Sequence, residues 1–89
     1  MLSSSEMQPR LKLSYPCEWP YVVIGRSEEE LRDAIRQIVS HRTHTITFSH
    51  ASLSGRYVSL KVLVVVHSDE DRIGIFQAFH EHPATNVVI

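Results

Sequence analysis

Residues 54–67 read Ser54-Gly55-Arg56-Tyr57-Val58-Ser59-Leu60-Lys61-Val62-Leu63-Val64-Val65-Val66-His67. Val58, Leu60, Val62, Val64 and Val66 share one parity, so an extended chain over Arg56 to His67 lays an unbroken apolar row along one side. The other parity, Tyr57, Ser59, Lys61, Leu63, Val65 and His67, is only half apolar. A strand buried on both faces would be apolar at nearly every position, so this one predicts a sheet with helices on one side and a partly wet face on the other.

Working back toward the N-terminus, Ser54-Gly55 supplies the centre of a tight hairpin. The partner strand lies over Thr43 to Leu53, where Ile46 and Phe48 alternate with Thr45 and Thr47. Before it, Ser27 and Glu30 form a capping box, with Leu31, Ala34, Ile35, Ile38 and Val39 following at helical spacing. Three glutamates in the first turn and Arg36 and His41 toward the end suit the helix dipole. Further back, Tyr21-Val22-Val23-Ile24 closed by Gly25 reads as the first strand. Pro16 and Pro20 cannot donate to a ladder, which predicts that its regular part begins at about Pro20 or after.

Working forward, Ser68 and Asp71 form a weaker capping pair, and a second helix is predicted to end before Pro83. Its predicted core stripe is Ile73, Phe76, Phe79 and the stem of His80. Gly74 within it costs about 1 kcal/mol relative to alanine. Ala84 to Ile89 is a short final strand. The order βαββαβ, joined by right-handed crossovers, predicts an α+β ferredoxin-like sandwich: a four-stranded antiparallel sheet with two helices on one face. Strands one and three are expected at the centre, with Leu31, Ile35, Ile38, Phe76 and Phe79 buried against Val58 to Val66. Residues 1–13 are expected to be a flexible N-terminal tail and residues 14–89 a single domain.

At 89 residues, 43% apolar and 21% charged, one core is all the chain can build. The longest apolar run, Val62 to Val66, is far short of the roughly 20 residues of a spanning helix. Met1 to Lys12 lacks the apolar core of a signal peptide, so a cytoplasmic protein with no membrane partner is expected. A net charge of -1 makes a nucleic-acid partner unlikely on composition.

Tyr15-Pro16-Cys17-Glu18-Trp19-Pro20-Tyr21 with Ile24-Gly25, Ser52-x-x-Gly55-x-Tyr57-x-Ser59-Leu60, and His82-Pro83 through Val87-Val88-Ile89 resemble the YbeD-like family of small bacterial proteins. The resemblance runs from about Leu13 to Ile89. It implies an ACT-like version of the ferredoxin-like fold, of the kind that binds amino acids or similar effectors and regulates enzymes, and it brings no catalytic residues. Val22 departs from the family pattern, standing where many members are polar.

Six histidines invite a metal, but His80 and His82 face different ways on a helix, His41 and His44 straddle a junction, and His50 and His67 fall at opposite ends of the hairpin. No metal site, cofactor or catalytic group is expected. The single Cys17, beside Glu18, lacks the electropositive surroundings of a nucleophile and reads as a half-buried apolar residue. Trp19, Tyr21 and Tyr57 suggest an RNA-binding module on the open sheet face as the alternative function, although Lys61 is the only cation that strand three offers there. An effector site is expected at Gly25, Arg26, Ser27 and Glu28. Gly25 is expected to need a backbone conformation closed to other residues, and Arg26 to be the only cation beside it. An amino acid could place its carboxylate on Arg26 and the free amides and its amine on a glutamate. Val22, Ile24, Leu63 and Val65 on the open face are the expected interface, covered by a second copy in a homodimer, by a protein partner, or by the tail through Leu11 and Leu13.

Overall fold

The computed structural model describes residues 13–51 and 54–89. Its elements are β1 (Cys17–Gly25), α1 (Glu28–Val39), β2 (His44–Ala51), β3 (Val58–Val66), α2 (Asp69–Glu81) and β4 (Val87–Val88). The four strands lie in the order β2-β3-β1-β4, all neighbours antiparallel. The ferredoxin-like order expected from the sequence is therefore the one present. The expectations for residues 1–12 and for Leu53 at the end of the second strand fall outside the described residues.

Both helix starts are written locally. The Ser27 hydroxyl accepts from the Glu30 amide and that of Ser68 from the Asp71 amide, each satisfying a donor that the first turn leaves without a partner. Helix α1 then buries Leu31, Ala34, Ile35 and Val39, with Ile38 at the rim of the core. These side chains meet Leu60, Val62, Val64 and Val66 of β3 and Tyr21 and Val23 of β1, all at most 1% exposed. The hairpin turns at Gly55, whose φ of 74° lies in the left-handed region that glycine enters freely. A bulge between Phe48 and His50 shifts the β2 register by one residue.

Three expectations are corrected. Strand β1 starts at Cys17 and runs through Pro20. Val22 exchanges both backbone bonds with Ile89, at 3.2 and 2.9 Å, so Pro20 two residues earlier turns its nitrogen to the same side. No described residue stands opposite that nitrogen, so the missing N–H leaves no ladder bond broken among the described residues. Helix α2 is rotated from its expected stripe: Ile75 and Phe79, four residues apart, face the sheet, while Ile73 and Phe76 are 47% and 38% exposed. Three anchors set that rotation. Tyr21 donates to the Arg72 carbonyl at 2.7 Å and meets the Phe79 ring edge-on, and Arg42 grips Asp71 through its two terminal guanidinium nitrogens at 2.6 and 2.8 Å. Phe76 instead stacks on His80 outside the core. Gly25 has no positive φ; it is required because a β-carbon there would sit 2.3 Å from the Ala84 carbonyl oxygen.

Candidate functional site

The sheet face away from the helices has no cover among the described elements. Pairing of Glu18 with Val65, Pro20 with Leu63, Val22 with Lys61 and Ile24 with Ser59 sets these side chains in rows across β1 and β3. On the flanks, Thr45 and Thr47 of β2 continue the Leu63 and Lys61 rows, and Val87 of β4 stands beside Ile24. Val22, Ile24, Leu63 and Val65 are half-buried by their neighbours, whereas Val87 and Ile89 at the edge are 48% and 70% exposed. The structure thus brings the four expected interface residues together on one aliphatic surface. Within the β1 and β3 rows its full charges are Glu18 and Lys61, exposed and of opposite sign.

Trp19 and Tyr21 are on the other side of the sheet. Tyr21 is buried under the helices, and the same burial pushes its hydroxyl pKa up to about 12. Trp19 shares that side, with the Arg72 guanidinium 4.7 Å from its ring centroid. Cys17 packs half-buried against the same core. Tyr57, half-buried just before β3, continues the parity of Ser59 and Lys61 at one end of the open face, with Arg26 over its ring at 5.8 Å.

At the β1–α1 turn, the expected effector residues are adjacent but mostly engaged. The Ser27 hydroxyl is used by the cap, and Glu28 accepts from Arg32 at 2.9 Å. Arg26 is joined by Arg56, with which it lines a depression of 310 Å³, so it is not the only cation there.

At the N-terminus of α2 a polar cluster ties the chain entry to the sheet. Arg42 also donates to the Val65 carbonyl, and Asp71 accepts from the His67 amide at 2.9 Å. The Arg42 guanidinium and then that amide hold the Asp71 carboxyl below the usual carboxylate range, and Asp71 in turn holds the Arg42 proton more firmly. Tyr15 donates to Asp69, which raises the phenol and lowers the carboxylate. These groups are locked in pairs and serve as struts. Among the described residues no three His, Cys, Asp or Glu side chains converge as metal ligands.

Sequence reasoning missed one feature, a cleft of 690 Å³ beside the part of β1 that β4 does not flank, lined by Trp19, Pro20, Tyr21, Val22, Arg72, Ile73, Phe76 and Ile89. Its walls exist because α2 is rotated to turn Ile73 and Phe76 outward. The signal available was the excess of apolar residues in α2 over what one face can bury.

A four-stranded antiparallel sheet with both helices on one side and an open aliphatic face defines the class as small ferredoxin-like α+β domains. The chain belongs to the DUF493 family, described as proteins of unknown function, whose model matches residues 11–89. This is the YbeD-like group, many of whose members carry the name UPF0250. The chain is 29% identical over 76 residues to an uncharacterised protein of Campylobacter jejuni, covering 85% of this chain and 87% of that one. A UPF0250 protein of Nitrosomonas europaea is 25% identical over 83 residues, covering 86% and 93%. The solution structure of protein HP0495 from Helicobacter pylori superposes with a TM-score of 0.79 at 22% identity, covering 100% of this chain and 96% of that one. No helix among the described residues is long and apolar enough to cross a membrane.

Proposed function

We propose that this chain is a small non-catalytic, ACT-like regulatory module of the cytoplasm, and that its open sheet face docks a protein surface. The observation that carries this reading is the aliphatic row Val22, Ile24, Leu63 and Val65, extended by the exposed Val87 and Ile89. Lone exposed apolar residues need no explanation, whereas a contiguous patch rimmed by Thr45, Thr47 and Ser59 has the make-up of an interface centre and rim. The RNA-binding alternative needs several aromatic platforms and cations across this face, whereas the centre of the face is aliphatic with Lys61, and Tyr57, an aromatic of the same parity, stands at the end under Arg26.

A decisive test compares the parent with Leu63→Asp in quantitative co-purification from the native cell. A protein retained by the parent, lost with Leu63→Asp and kept with Arg26→Ala supports docking on the sheet face. Identical captured sets for parent and Leu63→Asp, with the variant folded by circular dichroism, overturn it. Binding of mixed-sequence single-stranded RNA that Lys61→Ala abolishes would establish the alternative.

One observation favours an effector as a second ligand: Arg26 and Arg56 line the same depression next to the amides that open α1. An amino acid at millimolar concentration should then shift the amide signals of Gly25 to Glu28, sulfate should not, and Arg26→Ala should abolish the shift. No shift with any amino acid leaves that turn as a helix cap.

A further inference from the structure

We propose that the surface docked on the sheet face is the same face of a second copy, related by a two-fold axis that runs across the strands at the Pro20–Leu63 row. In this pairing Glu18 of each protomer meets Lys61 of the partner subunit. The inference rests on the reading of this face as a protein-docking surface and deepens it by naming the partner.

Two sheets packed face to face can be related only by a two-fold axis lying in the plane between them. That leaves axes along the strands, across them, or between. Glu18 stands opposite Val65 and Lys61 opposite Val22, so the two charges are four residues apart along adjoining strands, about 13 Å. An axis along the strands between β1 and β3 keeps each residue at its own height. It would bring the two Lys61 ammonium groups side by side and pair neither with a carboxylate. An axis across the strands reverses height. Midway between the two charges it passes through Pro20 and Leu63, and it carries Glu18 onto the Val22–Lys61 row of the facing sheet.

Charge decides among these. Only an axis transverse to the strands, or tilted slightly from that direction, places each exposed carboxylate beside an exposed ammonium. Both long side chains can span the gap of about 10 Å between packed sheets. Leu63 then sits on the axis against its own copy, Val22 and Val65 close in from either side, and Ile24 lies at the rim. Thr45, which shares the Leu63 row, stays neutral at the same level. A patch that carries one charge of each sign at equal distance from an apolar centre is complementary to itself, which is the requirement of an isologous contact.

The test is charge exchange, read by sedimentation at high micromolar protein. The parent is expected to be dimeric. Glu18→Lys and Lys61→Glu are each expected to be monomeric under the same conditions, with at least a tenfold weaker association, because each sets two like-charged pairs in the interface. An equimolar mixture of the two variants is expected to dimerise, since both trans contacts then join opposite charges, and the doubly exchanged chain is expected to dimerise alone. Both positions are exposed, so thermal melts at protein concentrations low enough to keep the parent monomeric should match between variants and parent. A monomeric parent, single variants that dimerise like the parent, or a mixture that stays monomeric would each overturn the pairing. If one of those results comes while Leu63→Asp still strips a captured protein, the second copy is excluded and the docking surface stands. If Leu63→Asp changes nothing either, both fall.

Discussion

The two faces of the sheet are made from alternate residues of the same strands and are otherwise opposites. Toward the helices, Val62, Val64 and Val66 are fully buried against Leu31, Ile35, Val39 and Phe79. Away from them, Leu63 and Val65 have the same chemistry and only sheet neighbours beside them. Strand β3 therefore carries more aliphatic surface than folding of one chain uses. A strand whose second face met only water could carry threonine there, as β2 does at Thr45 and Thr47. The difference separates residues whose burial makes the fold from residues that folding leaves half-exposed.

The largest expected effect is on the covered face. Ile35→Asp puts an unpaired charge among fully buried aliphatics and should destabilise by more than about 4 kcal/mol, enough to unfold a domain of this size. A urea melt within about 1 kcal/mol of the parent would break the assignment of faces.

Smaller, and sharper, is the pair Val64→Ala and Val65→Ala. These are neighbours in one strand on opposite faces. The first should cost about 2 kcal/mol through lost transfer and a cavity, and the second less than about 1 kcal/mol, measured by urea unfolding at low protein concentration where association does not contribute. Equal costs would mean that both faces are covered within the monomer.

Gly25→Ala should cost about 1–3 kcal/mol, because the new methyl meets the Ala84 carbonyl at the point where β4 docks on β1. Its amide exchange should rise first at Asn86, which donates to Ile24 at 2.7 Å.

The Arg42–Asp71 pair behind the sheet predicts a pH effect. The Asp71 carboxyl titrates lower in the folded chain than in the unfolded one, so it contributes stability above about pH 4 that is lost as pH falls through its folded-state value. Asp71→Asn should be less stable than the parent at neutral pH, and the two stability curves should converge in acid. Parallel curves down to pH 2 would show that Asp71 plays no such part.

What was legible in the sequence is what is local or periodic. Ser27 with Glu30 and Ser68 with Asp71 lie within one turn of each other, and the parity of residues 58–66 needs only the chain itself. The rotation of α2 was not legible, because Ile73, Ile75, Phe76 and Phe79 offer apolar groups to more than one side of the helix. The choice among them is made by distant partners, Tyr21 through the Arg72 carbonyl and Arg42 through Asp71. The role of Gly25 was hidden for the same reason: its neighbour is the Ala84 carbonyl near the other end of the chain. The start of β1 was not legible at Pro20, because a proline's tolerance in a strand depends on which edge its nitrogen faces, and that follows from the pairing of Val22 with Ile89. The interface residues were legible as a parity. The balancing of Glu18 against Lys61 needed the β1–β3 register.

The central claim is that the open face is covered when the protein is at work, and the most direct measurement is methyl-detected NMR with a soluble gadolinium chelate. The Leu63 and Val65 methyls should be shielded from broadening at high micromolar protein, almost as well as those of Val62 and Val64. They should become broadened on tenfold dilution or in Glu18→Lys, while Val62 and Val64 stay shielded throughout. Strong broadening of Leu63 and Val65 at every concentration, equal in parent and variant, would contradict the account.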